Sequence, residues 1–452
     1  MSLRETPSNS LPPIPSAAGG WNEAFERLGN AVDPDIDTRH RELERPVRVL
    51  MIGAGHRGSI YAGFALHSPG EMQVVAVADP NPLRRNRLGD ATGVPAACRF
   101  DDWREALAAP RVADAVIIAT PDREHAAPCL RALALGYDVL LEKPIAPTEA
   151  ECRTVLAAAQ ASGGIVAVCH VLRYAPYFRA LKALLASGAV GQVISVQHLE
   201  PIEHRHMCHS YVRGNWRRSE ATSPIILNKS CHDTDIVRWL VGEPVERVQC
   251  FGNLKWFTQR NAPPGSTERC IDGCAVEPEC PHSALRIYHR ERQRLHVFDL
   301  PPDQTQWEPL ILQRLRDTDY GRCVFRLDND QPDHLSVNIL FRNGATAAFS
   351  MEAMVSYEGR RTCIMGSLGD IVGDMEHFVF TSFKDGSRRE WRMKTDAHGG
   401  GDLRLVRDWV QAVGQRDKSL LSSSIEVSVE SHLMAFAAER SRLNGTIEAV
   451  AV

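Results

Sequence analysis

Hydrophobic and polar positions divide the chain near residue 46. Residues 1–45 mix proline, serine and charge without a sustained apolar period, and read as a partly disordered leader with one short amphipathic turn at Trp21 to Leu28. At Val47 the pattern changes. Val47 to Ile52 is an apolar run fit for a buried parallel strand, followed by glycines and a helix-compatible segment to Leu66. The alternation then continues through a strand at Gln73 to Ala78, helices at Leu83 to Gly89 and Asp102 to Leu107, and a strand at Ala113 to Ala119. A helix after His125 and a strand at Asp138 to Leu141 complete it. This order predicts a doubly wound α/β domain over residues 46–170.

Beyond it the pattern is mixed. Tyr177 to Ala186 reads as a connecting helix, and Val193 to Leu199, Val245 to Phe257, Leu335 to Phe341, Thr346 to Met354 and Phe378 to Phe383 read as strands. Ile425 to Leu443 reads as a helix returning to the core. Residues 171–452 are therefore expected to form a second domain, with an insert at about 258–300.

Composition narrows the class. With 44% apolar and 24% charged residues over 452 positions, the chain is ordinary globular protein of two or three domains. Lysine plus arginine (52) against aspartate plus glutamate (56) leaves a formal charge of −4, which favours neither a nucleic-acid nor an anionic-membrane partner. No apolar stretch is long enough for a bilayer span. Twelve cysteines, mostly scattered singly, fit a reducing, cytoplasmic setting.

The chemistry begins at the first turn, Gly53-Ala-Gly55-His56-Arg57-Gly58. Gly53 suits a tight turn, Gly55 a close approach of backbone to a pyrophosphate, and Gly58 the packing of helix on strand, with His56 and Arg57 opening the helix. Asp79 ends the second strand about 20 residues later, where a carboxylate accepts from ribose hydroxyls. That favours NAD, while Arg84 and Arg85 just beyond leave NADP open. Further strands end in Thr120-Pro121 and in Glu142-Lys143-Pro144, at the carboxyl edge where open α/β sheets bind ligands.

These residues resemble the Gfo/Idh/MocA oxidoreductases. The likeness rests on Gly53 to Gly58, on Ala119-Thr120-Pro121 with His125, on Glu142-Lys143-Pro144, and on Ser230-Cys231-His232-Asp233-Thr234-Asp235 continuing to Trp239. It implies a Rossmann domain followed by an α+β domain with a large open, mostly antiparallel sheet, whose free face makes a homodimer or homotetramer. It also implies that Thr120, Pro121, His125, Glu142 and Lys143 border the cofactor, that Lys143 hydrogen-bonds the reacting hydroxyl, and that His232 exchanges its proton. The chemistry agrees: an imidazole titrates near working pH and an ammonium stabilises a developing alkoxide. One position departs from the family, Asn228 standing where an aspartate is common. Asn228 is then expected to orient substrate, Asp235 to orient His232, and Lys229 to carry charge at the site.

Other candidates are local. Arg173 and Tyr174 follow a strand at the domain crossover. The loop from His204 to Arg217 is dense in histidine, arginine and tryptophan, and His209, Arg213 and Trp216 suit a sugar's hydroxyl rim and apolar face. His398, before Gly399 to Gly401, can contact substrate or nicotinamide, while Asp402 can cap the helix that follows. Cys270, Cys274 and Cys280, with His282 nearby, are compatible with structural zinc, with packed thiols or with a disulfide. A cysteine-bearing insert of this kind marks a subgroup of the family.

The reading that unites these features is an NAD(P)-dependent oxidoreductase moving hydride between the nicotinamide and a secondary hydroxyl of a sugar, polyol, sugar acid or glycoside. Two rivals stand: a redox-neutral NAD-dependent glycosidase or lyase working through a transient keto-sugar, and a dinucleotide-binding sensor without catalysis.

Overall fold

In the computed structural model, which describes residues 39–392 and 400–451, every strand of the first domain but one is nearly or wholly buried. The Trp21 to Leu28 segment and His398 lie outside the described residues. Six strands, β1 (Val47–Ile52), β2 (Met72–Ala78), β3 (Arg99–Phe100), β4 (Ala115–Ile118), β5 (Asp138–Leu141) and β6 (Val166–Val168), form a parallel sheet in the order β3-β2-β1-β4-β5-β6. All four residues of β4 and of β5 are buried, as expected of strands covered by helices on both faces. The order reverses between β1 and β4, which opens a crevice at the carboxyl ends of the strands.

The second sheet is built differently. It comprises β7 (Val193–Glu203), β8 (Val245–Asn253), β9 (His334–Phe341), β10 (Thr346–Val355), β11 (Arg361–Gly366), β12 (Gly369–Gly373), β13 (His377–Ser382), β14 (Arg388–Arg392) and β15 (Glu448–Ala449). Their order is β14-β13-β12-β11-β7-β10-β9-β8-β15, antiparallel throughout except where β7 pairs parallel with β10. On β9 and β10, buried positions alternate with open ones, so one face of the sheet packs on the core and the other is left uncovered. Ser195, Gln197, Arg247, Gln249 and Asn338 line that uncovered face.

Four helices position the functional residues. α1 (His56–His67) follows the glycine turn, α2 (Cys231–Val241) carries the second motif, and α3 (Gly401–Gln415) and α4 (Ile425–Asn444) return from the C-terminal end. α3 packs on the first sheet rather than the second, burying Leu405, Trp409 and Val410 in one cluster with Val49, Met51 and Tyr61. Gly401 is needed at its start, because a Cβ there would stand 2.0 Å from the Val171 carbonyl oxygen. Gly401 thus admits the crossover backbone at residue 171. Part of the leader joins this layer: His40 Nε2 lies 3.1 Å from Asp408, and Leu43 packs over Gly414.

The His204 to Arg217 segment is not a loop. His204–Met207 is helical, Cys208–Arg213 continues it as one wide turn, and a short 3-10 turn follows at Asn215–Arg217. Residues between β8 and β9 form a subdomain with its own small core of Ala284, Ile287, Tyr288, Phe298, Ile311 and Leu315.

Candidate active site

The turn after β1 is shaped by its glycines. Gly53 has φ +94°, and a Cβ there would meet the Ala119 carbonyl oxygen at 2.5 Å. A Cβ on Gly58 would meet the Gly53 oxygen at 2.0 Å, so the turn and α1 touch backbone to backbone. Gly55, between them, faces open space. This is the cradle a dinucleotide pyrophosphate needs, with the N-terminus of α1 behind it. Asp79 is buried at the end of β2, its carboxylate accepting from the backbone N–H of Ala54 (2.7 Å) and of Asn81 (2.8 Å). It therefore fixes the turn and still has lone pairs to offer a ribose.

At the neighbouring strand ends a charged network locks the loops. Arg57 donates Nε to Glu142 (2.6 Å) and Nη2 to Asp402 (2.6 Å), and the Tyr61 hydroxyl donates to the same Glu142 oxygen (2.7 Å). Burial would push the Glu142 carboxyl up, but Arg57 and Lys143 beside it hold it below the usual carboxylate range. Asp402 lies inside the first turn of α3 and holds Arg57, where capping was expected; the N-cap position is Gly400. His125 is buried between the carbonyl oxygens of Thr120 (2.7 Å) and Pro144 (2.5 Å), tying together the two loops that carry Pro121 and Lys143. The Lys143–Pro144 peptide is cis.

Lys143 crosses to the second domain. Its Nζ donates to the backbone carbonyl of Asn228, three residues before α2, and so stands at the end of the helix that carries His232. Asn228 is 1% exposed; its Nδ2 donates to the Ser223 carbonyl (2.6 Å), while its Oδ1 has no hydrogen-bond partner among the described residues and remains an acceptor. Lys143, Asn228 and His232, three residues the sequence singles out, are thus brought to the junction of the two domains.

His170 joins them, and the sequence reading passed it over. It is fully buried, its ring edge-on to His232 (centroids 6.2 Å) and to His432 (5.5 Å), with Nδ1 3.8 Å from Asp235 and neither nitrogen hydrogen-bonded among the described residues. Burial pushes it down to about 4, so the ring is neutral. Its position straight after a strand ending at the carboxyl edge was the only signal in the sequence.

Other candidates have different roles. Arg173 is buried and holds Asp235 with two hydrogen bonds (2.6 and 2.7 Å), so the Asp235 carboxylate serves the crossover, with Ser431 donating to it as well. Tyr174 is fully buried and bonded to Ser423 at 2.9 Å. Lys229 lies 3.7 Å from Glu200, inside a buried network in which Arg360 bridges Glu200 and Asp233 and His198 meets Asp233 at 3.0 Å. Burial pulls Lys229 down. Arg213 is 1% exposed and donates to the carbonyls of Arg322 and His282, both at 2.8 Å. It holds the subdomain together and offers no fork to a sugar. His209 bonds the Tyr288 hydroxyl (2.9 Å), and half-exposed Trp216 donates to Asp122 (3.2 Å).

The zinc expectation is not supported. Among the described residues no group of three or more His, Cys, Asp or Glu side chains is disposed to hold a metal ion. Cys270 Sγ instead faces Arg213 Nη2 (3.8 Å) and the Ala284 N–H (3.4 Å), and His282 turns Nδ1 to Cys208 (3.4 Å) and accepts from Trp256 at Nε2 (3.4 Å). All twelve cysteines are free thiols. No helix among the described residues is long and apolar enough to cross a membrane.

A glycine turn with open space at Gly55 and a lysine that crosses from a neighbouring strand-end loop to the head of the His232 helix are compatible with an oxidoreductase of the dinucleotide-binding class. Residues 47–170 match the oxidoreductase family described as an NAD-binding Rossmann fold, and residues 178–269 match the GFO/IDH/MocA C-terminal domain. Both matches, in this order along the chain, are to domains of the Gfo/Idh/MocA family. It is 28% identical to YteT of Bacillus subtilis over 65% of this chain and 71% of that one. To inositol 2-dehydrogenase of Rubrobacter xylanophilus it is 31% identical over 46% of this chain and 55% of that one, so only about half of that relative's length is spanned. The fold of an inositol dehydrogenase homologue from Azotobacter vinelandii, solved with NADH and myo-inositol, superposes with a TM-score of 0.65. That superposition covers 91% of this chain and 99% of the other at 16% identity.

Proposed function

We propose that this protein is an NAD-dependent dehydrogenase of a secondary hydroxyl on a sugar or polyol. The observation that carries the reading is the meeting of Lys143, from the strand-end loop of the nucleotide domain, with the Asn228 carbonyl at the head of the His232 helix. The inositol dehydrogenases among the relatives, and the NADH-bound homologue of like fold, support a cyclic polyol or sugar as the substrate class.

Gly53, Gly55 and Gly58 with Asp79 would hold the dinucleotide, whose nicotinamide supplies the hydride acceptor or donor when bound. Each remaining task falls to the chain. Lys143 donates a hydrogen bond to the substrate hydroxyl oxygen and stabilises it as negative charge develops there. His232 takes the hydroxyl proton in oxidation and returns it in reduction. Asn228 Oδ1 accepts from a neighbouring hydroxyl, and Glu142 with Arg57 keeps the lysine loop in place.

The test is NADH formation by the purified full chain with NAD and a panel of free sugars, inositols, sugar acids and aryl glycosides. Steady NADH accumulation with a polyol or sugar is the expected result. Cleavage of a glycoside without NADH accumulation, or no turnover of any member, would overturn it. The same reading makes the uncovered face of the nine-stranded sheet a contact between copies of the chain, with a dimer or tetramer expected in sedimentation.

A further inference from the structure

The subdomain between β8 and β9 returns to the nucleotide-binding domain at residues 295–300. Three contacts fix it there. His296 stacks on His56 of the glycine turn, with ring centroids 4.8 Å apart and planes at 27°. Asp299 holds Arg84 with both carboxylate oxygens, at 3.1 Å from Nε and 3.0 Å from Nη2. The Leu300 carbonyl accepts from Arg87 Nη2 at 3.3 Å.

Arg84 stands in the first turn of the helix Pro82–Thr92, whose N-cap Asn81 donates its backbone N–H to Asp79. In a sheet of this topology that corner receives the adenosine ribose, and an arginine there is the natural partner of a 2′-phosphate. Here the arginine is already taken. Its neighbour Arg85 is committed as well, to the Asp79 carbonyl (2.7 Å) and to Asp101 (2.7 Å).

We propose that residues 295–300 form an outer wall of the dinucleotide cradle, and that Asp299 makes the cradle selective for NAD over NADP by occupying Arg84. The inference rests on the dinucleotide-binding reading given above. A 2′-phosphate entering this corner must either displace Asp299 from a two-point pair or lie against the carboxylates of Asp79 and Asp299; an uncharged 2′-hydroxyl meets neither cost. The backbone is unusual at the key residue: Asp299 holds a φ of 49°, a left-handed value that non-glycine residues adopt at a cost.

The experiment is titration of the full-length protein with NADH and with NADPH, read by energy transfer from tryptophan, for the wild type and three variants. Asp299→Asn keeps a side chain that tolerates left-handed backbone while removing the charge, and Asp299→Ala removes the side chain altogether. Both should leave the NADH dissociation constant within about threefold and tighten NADPH by about tenfold, because a freed cation meets the phosphate. Adding Arg84→Ala to Asp299→Asn should abolish the gain. Unchanged NADPH affinity in both single variants with NADH binding intact, or a wild type that prefers NADPH, would overturn the proposal. A wild type that binds neither dinucleotide would overturn the cofactor reading itself, and this inference with it.

Discussion

Lys143 and Asp235 show how one buried junction separates chemistry from support. The Lys143 amine donates to a backbone carbonyl of the second domain and forms no salt bridge among the described residues, so it can turn to a substrate oxygen without breaking one. Lys143→Ala is expected to lower turnover by about 10² to 10⁴ while NADH binding stays within about threefold, as measured by steady-state rates beside cofactor titration. Asp235 is the opposite case. It is 1% exposed and receives Arg173 at two oxygens, so Asp235→Asn leaves a buried guanidinium without its counter-charge. A loss of about 3–5 kcal/mol is expected in denaturant unfolding. His232, His125 and the glycines announced themselves through ordered motifs; His170 carries no motif. Its membership of the site depends on Asp235, His232 and His432, which arrive from two other helices.

At the scale of elements, the glycine turn gives a paired test. Gly58→Ala drives a Cβ to 2.0 Å from a backbone oxygen, so α1 must shift from β1, at a cost of about 1–3 kcal/mol in thermal or denaturant unfolding. Gly55→Ala meets nothing within 4 Å, so it should fold as well as the wild type and yet weaken NADH about tenfold or more by filling the cradle. The buried parallel strands and the amphipathic helices were legible because their apolar period is set by burial on one or two faces. β11, β12 and β14 were not. Arg361–Gly366 and Gly369–Gly373 are short and glycine-bounded, and Arg388–Arg392 holds three arginines, so their strand conformation comes from neighbours in the ladder. The same limit applied to His204 to Arg217, whose histidines and arginines suggested a polar loop. Packing against the cysteine-bearing subdomain buries His209 and Arg213 in a helical turn and half-buries the others.

For the whole molecule, buried neutral histidines dominate the acid response. Burial pushes His170 down to about 4 and both His282 and His432 down to about 3, from an ordinary 6.5. The unfolded chain therefore binds more protons than the folded one below pH about 6.5, and stability falls as pH falls through that window toward the folded values. Each such imidazole contributes a loss of up to about 1.4 kcal/mol per pH unit there. A melting temperature that declines steadily from pH about 7 to about 4, with net proton uptake on unfolding, is expected by calorimetry. A flat profile would show these rings to be accessible. The sequence by itself determined the doubly wound nucleotide-binding domain and the glycines of its first turn with Asp79 at the end of β2, because each is written in local periodicity or in a short motif. Only the tertiary structure decided that α3 belongs to the first sheet, that Arg213 holds a subdomain together, that Cys270 faces Arg213, and that Arg84 is held by Asp299. Those outcomes depend on side chains distant in sequence competing for the same partner, and a linear pattern does not record which of them wins.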